Sequence, residues 1–163
     1  MWQFIASPFL MTIKIDDIIE QLDFFDPDIC SYYDRKQCTI ISINTGDVEY
    51  ASFTDSDLPD WEEQNYKIYQ EIQNDIQQKR FVPLPDEFDL HEGKIIQDYC
   101  FQLTNHEQTN RLLCAFNGHK AFRKFKNQLY REKLEADYYQ YKYQQIKAIA
   151  INWCKENKIK FVD

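Results

Sequence analysis

Residues 135–156 carry the clearest apolar stripe of the chain, and this stripe most constrains the fold. Its members are spaced four and three residues apart in turn, and they are Tyr139, Tyr143, Ile146, Ala150 and Trp153. Since an α-helix completes a turn every 3.6 residues, this spacing predicts one amphipathic helix. Other elements must cover such a stripe, so we expect a helical bundle around it.

The same periodicity predicts shorter helices along most of the remaining chain. The first covers about 15–25, with apolar residues on one face and Asp16 and Asp17 in the first turn, where the helix dipole favours acids. Further helices are expected at about 60–78, 89–103, 105–116 and 118–133. Within the second of these five, Trp61 and Ile76 are expected to face inward.

Three of these helices have a capping signal at their N-terminus. Residues 60–63 and 89–92 have the spacing of a capping box, with Asp60 or Asp89 at the cap and a Glu three residues later. Asn105, with Gln108 three residues on, is expected to cap a third helix.

The β-structure is predicted to be small and to lie near the N-terminus. Ile29–Tyr33 and Cys38–Ile43 are β-rich runs around a four-residue loop, the pattern of a hairpin. Phe81–Leu84 is extended, and its prolines confine any strand there to an edge. Ile159 and Phe161 alternate with lysines in a tail that is expected to join the hairpin. We therefore predict an α+β fold, a mainly helical single domain with a small β-hairpin.

Residues 1–10 are interpreted as an N-terminal extension, and 11–163 as a single α+β domain. The extension is apolar, but it is too short to span a bilayer and has no basic leader, so no membrane association is expected. Residues 47–57 are acidic and receive no assignment.

The net charge of −8 limits the kinds of partner. Residues 1–80 hold 16 acidic and 6 basic residues, whereas 81–163 hold 11 and 13. An acidic total disfavours general nucleic-acid binding, because phosphate attraction grows with the number of basic groups. A protein or a small anionic ligand remains possible as a partner.

Cysteine and histidine usage predicts neither a metal site nor a cofactor site. The five cysteines contain no C-x-x-C, and the three histidines have no zinc-ligand spacing. Three glycines in total leave no glycine-rich phosphate loop. Free, buried thiols in a reducing compartment explain the cysteines best, which predicts a cytoplasmic protein.

Residues 118–133 form a basic amphipathic segment within this acidic chain. They hold six Lys or Arg residues and one acid, Glu132. Backbone N–H groups at the Gly118–His119 junction, together with Arg123 or Lys126, have the chemistry to hold a phosphate or carboxylate. A solvated helix face, or internal pairing with acids of 47–63, is the simpler explanation of the same charges.

His91 is a candidate catalytic acid or base beside Glu92. Against that role, Glu92 already has a structural explanation in the capping box, and no third group that would orient the imidazole is visible. Tyr138 and Tyr141 fall outside the main stripe. They are either covered by the first half of the chain or left as an exposed aromatic patch, and packing against a neighbouring helix is favoured over exposure.

The order of segments resembles a bacterial family of small acidic proteins of uncharacterised function. The resemblance runs from Met11 to Ile159 and is most specific at two motifs, Leu84 to Glu92 and Gly118 to Lys126. It implies a recurring intracellular fold and no known activity.

Three functions remain open on these grounds. The first is an intracellular binding or regulatory protein that holds an anionic or peptide partner near 118–133. The second is a small enzyme acting on a phosphate-containing substrate, with His91 as acid or base and Arg123 or Lys126 stabilising charge. The third is an acidic inhibitor that imitates nucleic acid.

Overall fold

The structure, a computed structural model, describes residues 12–46, 48 and 59–163. The predicted extension at 1–10 lies outside these residues, as does 47–57 apart from Val48. The chain divides into two compact units, one formed by residues up to Asp86 together with Ala150–Asp163, and the other by Glu87–Ile149. The mainly helical α+β class is confirmed.

The described residues of the first unit form five strands and two complete helices. In chain order they are β1 (Ile13–Lys14), α1 (Ile15–Asp23), β2 (Ile29–Asp34), β3 (Thr39–Asn44), α2 (Asp60–Asn74), β4 (Phe81–Pro83) and β5 (Phe161–Val162). The second unit contains α3 (Glu87–Leu90), α4 (Glu92–Gln102), α5 (His106–Ala115) and α6 (Ala121–Glu132). Helix α7 (Glu135–Glu156) begins in the second unit and ends in the first.

The predicted hairpin is present and belongs to a three-stranded antiparallel sheet. Its strand order is β3-β2-β4, so β4 lies at an edge as its prolines required. Asp34 pairs with Thr39, which places the four-residue loop one position later than predicted. Cys38 therefore belongs to the loop, with φ of 56°.

The C-terminal tail pairs differently from the prediction. Phe161 and Val162 form a parallel pair with Ile13 and Lys14, not with the hairpin. Sequence alternation indicates that a segment is a strand, but it does not choose the partner, because strand partners lie far apart along the chain.

Local signals identified one helix cap correctly and misjudged two. The side chain of Asn105 accepts hydrogen bonds from the backbone N–H groups of Glu107 and Gln108, as predicted. At α2, however, the cap position is Pro59, and at α4 it is His91; neither cap makes a side-chain hydrogen bond. Both predicted capping boxes are therefore wrong.

Helix α2 is shorter and less buried than predicted. It ends at Asn74, and none of its fifteen residues, all of them described, is buried. Trp61 and Ile76, expected to face inward, are exposed. Phe25, which was grouped with the apolar face of α1, lies beyond the end of that helix and is also exposed.

The core of the second unit draws residues from all four of its longer helices. Its buried members are Ile96, Tyr99, Cys100, Leu112, Phe125, Leu129 and Tyr138. Tyr138 is 2% exposed, whereas Tyr139 is 45% exposed. The predicted stripe of α7 is thus wrong at its first two members, since Tyr139 and Tyr143 are exposed. Its later members are buried as predicted, namely Ile146, Ala150 and Trp153.

The five cysteines are all free, but they are not all buried. Cys100 and Cys154 are buried, and burial raises the pKa of each thiol to about 11. Cys30 and Cys114 are exposed, which corrects the expectation of uniformly buried thiols.

Candidate functional site: the basic face of helix α6

The predicted basic segment folds as a helix, Ala121–Glu132. Lys120 and Lys133 border it in the left-handed conformation, with φ of 59° and 58°. Gly118 shares that conformation, with φ of 66°, which a glycine adopts without a Cβ penalty. The helix therefore starts three residues after the glycine that was predicted to begin it.

One side of α6 anchors the helix in its unit. Helical spacing within 118–133 predicts that Phe122, Phe125 and Leu129 are buried. Phe125 and Leu129 are fully buried, whereas Phe122 is 45% exposed and contacts the ring of Phe116 edge-on. Burying a large apolar side chain contributes about 1.5–3 kcal/mol, so the two buried residues fix the rotation of α6.

Away from its two buried residues, the helix and its ends present cations to solvent. We call this the basic face and define it by six exposed residues, Lys120, Arg123, Lys126, Tyr130, Arg131 and Lys133. Tyr130 is 71% exposed and follows Lys126 by one turn and Arg123 by two. A cationic surface with an exposed aromatic ring is thereby formed by a single helix.

Within the described part of the chain, no residue forms an ion pair with a cation of the basic face. Lys124, on the flank of the helix, donates to the carbonyl oxygen of Asn117 at 3.4 Å. Of the acids of 47–63 that were considered as internal partners, those before residue 59 lie outside the described residues. Glu63 pairs with Lys67 at 2.6 Å, and neither Asp60 nor Glu62 forms an ion pair with a described residue.

The single acid of the segment is bonded away from this face. Glu132 accepts from Arg111 of α5 at 2.6 and 3.1 Å, and also from Gln108 and Gln128. Chiefly through the hydrogen bond from Arg111, the pKa of Glu132 falls to about 2, so the carboxylate is charged at neutral pH. Because its charge is matched by Arg111, Glu132 does not neutralise the cations of its own helix.

Several other charged groups of this unit are also paired. Lys94 pairs with Asp98 one turn away, and Lys142 contacts Glu92 at 2.9 Å. Asp137 accepts a hydrogen bond from the hydroxyl of Tyr99 at 2.8 Å; burial, together with this bond, raises the pKa of Tyr99. These acids are therefore engaged by groups other than the cations of the basic face.

His91 lies between α3 and α4 and is exposed. Its backbone is left-handed, with φ of 47°, and no described side chain hydrogen-bonds to its imidazole. Its neighbour Glu92 contacts Lys142 instead of completing a capping box. The arrangement supplies no group that would orient His91 as an acid or base.

Phe116 brings the two sequence motifs to the same part of the unit. A Cβ at Gly93, two residues after His91, would lie 3.7 Å from the ring of Phe116. The same ring contacts Phe122 and Phe125 edge-on, at centroid distances of 5.2 and 5.9 Å. The predicted ligand residues Gly118 and His119 are exposed just before α6. The cations of the basic face, in contrast, are distributed along the whole length of α6.

Two features of the site were missed by the sequence analysis. The first is Tyr130, which helical spacing from Arg123 and Lys126 was sufficient to reveal. The second is the Arg111–Glu132 pair, which had no local signal because the two residues are 21 positions apart.

The comparisons with known proteins give a family and no activity. The sequence pattern of the Uncharacterised protein family (UPF0158) matches residues 8–163. The chain belongs to this family. The family resemblance inferred from the two motifs is thus confirmed. No curated protein and no solved structure matches the chain.

Two other kinds of feature are absent from the described residues. These residues contain no group of three or more His, Cys, Asp or Glu side chains placed to hold a metal ion. Nor do they contain a helix long and apolar enough to cross a membrane.

Proposed function

We propose that this chain is an intracellular binding protein that holds an acidic segment of a protein partner on the basic face. The observation that supports this most directly is that five exposed cations, three on α6 and two at its ends, have no acidic partner among the described residues. An intracellular setting is part of the proposal, because five free cysteines, two of them exposed, suit a reducing compartment.

The shape of the surface favours a macromolecular partner over a small anion. The cations follow the outside of a helix about 18 Å long, at the usual rise of 1.5 Å per residue. A small anion contacts one or two of them, whereas an extended acidic segment contacts several. Tyr130 adds an amphipathic ring of the type that anchors protein interfaces.

The charge of the whole chain favours carboxylates over a nucleic acid. A net charge of −8 repels a nucleic acid, and this repulsion grows with the charge density of the partner. A short acidic segment can bind the local positive surface while presenting little charge to the rest of the molecule.

The test compares one charge reversal on the basic face with a matched reversal elsewhere. The test variant carries Arg123→Glu and Lys126→Glu. The control carries Lys36→Glu and Lys160→Glu, which change two exposed residues by the same formal charge. Binding of a fluorescent Glu/Asp-rich peptide is measured by anisotropy at low salt, beside an oligonucleotide of equal charge.

We expect the test variant to bind the peptide about tenfold more weakly than wild type, and the control to bind like wild type. Equal binding by all three proteins, or no binding by any, contradicts the proposal. Tighter binding of the oligonucleotide than of the peptide assigns the surface to nucleic acid instead. Circular dichroism and urea unfolding verify that both variants are folded.

A further inference from the structure

A second charged helix has the opposite character to α6. Helix α1 carries four exposed acids and no basic residue, and we call this set the acidic face: Asp16, Asp17, Glu20 and Asp23. The other side of the helix is apolar and buried through Ile15, Ile18, Ile19 and Leu22. Burial of that side holds the acids outward. Asp17 and Glu20 form no ion pair with any described residue.

We infer that the partner of the basic face is the acidic face of a second copy of this chain. This inference rests on the proposed function and identifies the acidic segment that the function requires. It follows from the two faces being opposite in charge, similar in length and both accompanied by exposed aromatic rings.

The charged stripes match in length. Asp16 and Asp23 are seven residues apart on α1, which corresponds to about 10 Å along the helix axis. Arg123 and Arg131 are eight residues apart on α6, or about 12 Å. Two helices that pack with these sides together can form several carboxylate–cation pairs at once.

Exposed aromatic side chains adjoin both stripes. Phe24 and Phe25 follow the acidic face directly and are 68% and 57% exposed. Tyr130 lies within the basic face, and Phe122 lies at its edge. Aromatic side chains that become buried when two proteins bind supply most of the binding free energy, while charge pairs at the rim of the interface set orientation and association rate. The two surfaces therefore complement each other in apolar contacts as well as in charge.

The affinity of this contact is expected to depend strongly on salt. The Debye length falls from about 10 Å at 0.1 M salt to about 3 Å at 1 M, which screens exposed charge pairs. We expect self-association at low salt in sedimentation velocity, with a sedimentation coefficient that rises with concentration, and dissociation near 1 M salt.

A mixing experiment with two charge-reversed proteins tests the pairing. One protein carries Arg123→Glu and Lys126→Glu, and the other carries Asp17→Lys and Glu20→Lys. Each reversed face repels its complement on an identical copy, so each protein alone is expected to lose about tenfold in self-association. In an equimolar mixture, the intact acidic face of the first protein can meet the intact basic face of the second, so association between the two proteins is expected to return.

A second variant keeps the test informative if a charge reversal impairs folding. Phe24→Ser changes an exposed residue just beyond α1 and leaves every charge in place. It is expected to weaken self-association, while urea unfolding remains as in wild type. The control Lys36→Glu with Lys160→Glu is expected to self-associate like wild type.

Wild type that stays monomeric at low salt, or that self-associates equally with either face reversed, overturns the inference. Peptide binding separates this outcome from failure of the proposed function. If the acidic peptide binds wild type but not the basic-face variant, and wild type remains monomeric, the basic face takes a foreign acidic partner. If both measurements are negative, both proposals are wrong.

Discussion

Arg80 and Arg123 show how the two units treat a guanidinium group differently. Arg80, in the first unit, donates to both carboxylate oxygens of Asp34, at 3.1 and 2.9 Å, and also bonds to Glu71. Arg123, in the second unit, is exposed and has no acidic partner among the described residues. The comparison shows that two arginines with similar neighbours in the sequence can differ in role. One is paired within the protein, and the other is exposed and available to a binding partner.

The cluster around Arg80 is fully bonded. Asp34 is completely buried and also accepts from the backbone N–H of Lys36 at 2.8 Å. Asp75 accepts from the backbone N–H groups that follow it, including those of Arg80 and Phe81. The guanidinium also lies over the ring of Phe81, 4.4 Å from its centroid. Such a network engages the guanidinium of Arg80 within the unit, so this group is not available to a ligand.

The strongest test of this comparison is to replace each arginine with methionine. Arg80→Met is expected to lower the free energy of unfolding by about 3–5 kcal/mol, because it leaves the buried carboxylate of Asp34 unpaired. Arg123→Met is expected to leave stability unchanged. Urea unfolding measures both. The double variant Arg80→Met with Asp34→Leu should recover part of the lost unfolding free energy. Equal losses of stability in Arg80→Met and Arg123→Met would contradict the distinction between the two arginines.

The second prediction concerns acid unfolding of the first unit. Burial alone raises the pKa of Asp34, but hydrogen bonds from Arg80 and from the backbone of Lys36 outweigh it and hold the pKa below its usual value of 3.8. A carboxyl group whose folded pKa is lowered stabilises the fold above its unfolded pKa, and this contribution is lost as the pH falls through the folded pKa.

We therefore expect wild-type stability to decline as the pH falls from about 5 toward 2, with part of the decline due to Asp34. The Asp34→Asn variant is less stable at neutral pH and should show a shallower decline. The midpoints of urea unfolding of both proteins, measured across this pH range, test this expectation. Parallel curves for the two proteins would show that Asp34 is not held in its charged form.

The third prediction concerns the aromatic ring of the basic face. Tyr130→Ala is expected to weaken binding of the acidic peptide about 5- to 30-fold, because exposed tyrosines frequently serve as interface anchors. Stability should not change. The matched variant is Tyr138→Ala, which removes a buried ring of the core and should destabilise the protein by about 3–5 kcal/mol. Unchanged peptide affinity in Tyr130→Ala would show that only the charges of the basic face, and not its aromatic ring, contribute to binding.

The smallest expected effect tests why the cations remain available. Arg111→Met removes the partner of Glu132 and leaves that carboxylate free to reduce the positive potential of its own helix. Peptide affinity is expected to fall about two- to threefold, which is the size of a modest surface charge effect. Lys94→Met removes one paired cation of the same unit and should have less effect. If Arg111→Met and Lys94→Met lower peptide affinity equally, pairing of Glu132 with Arg111 is not what keeps the cations of the basic face available.

Much of the fold could be predicted because its signals are local. Helical periodicity identified the main helices, alternation identified the hairpin, and Asn105 was recognised as a cap from its side chain. The errors arose where several local solutions were compatible with the same residues. Asp60 and Asp89 have the composition of caps, yet Pro59 and His91 take those positions. Tyr138 and Tyr139 both suit a stripe, and only packing against α4 and α6 selects Tyr138.

The sequence by itself determined that 118–133 is an amphipathic, strongly basic segment, because side-chain spacing and charge are local properties. Only the tertiary structure decided which of the charges face solvent without a partner. It brings Arg111 to Glu132 and Arg80 to Asp34 across 21 and 46 positions of the chain. Since the electrostatic interaction of a side chain depends on distance in space, its availability to a ligand is fixed only when the chain folds.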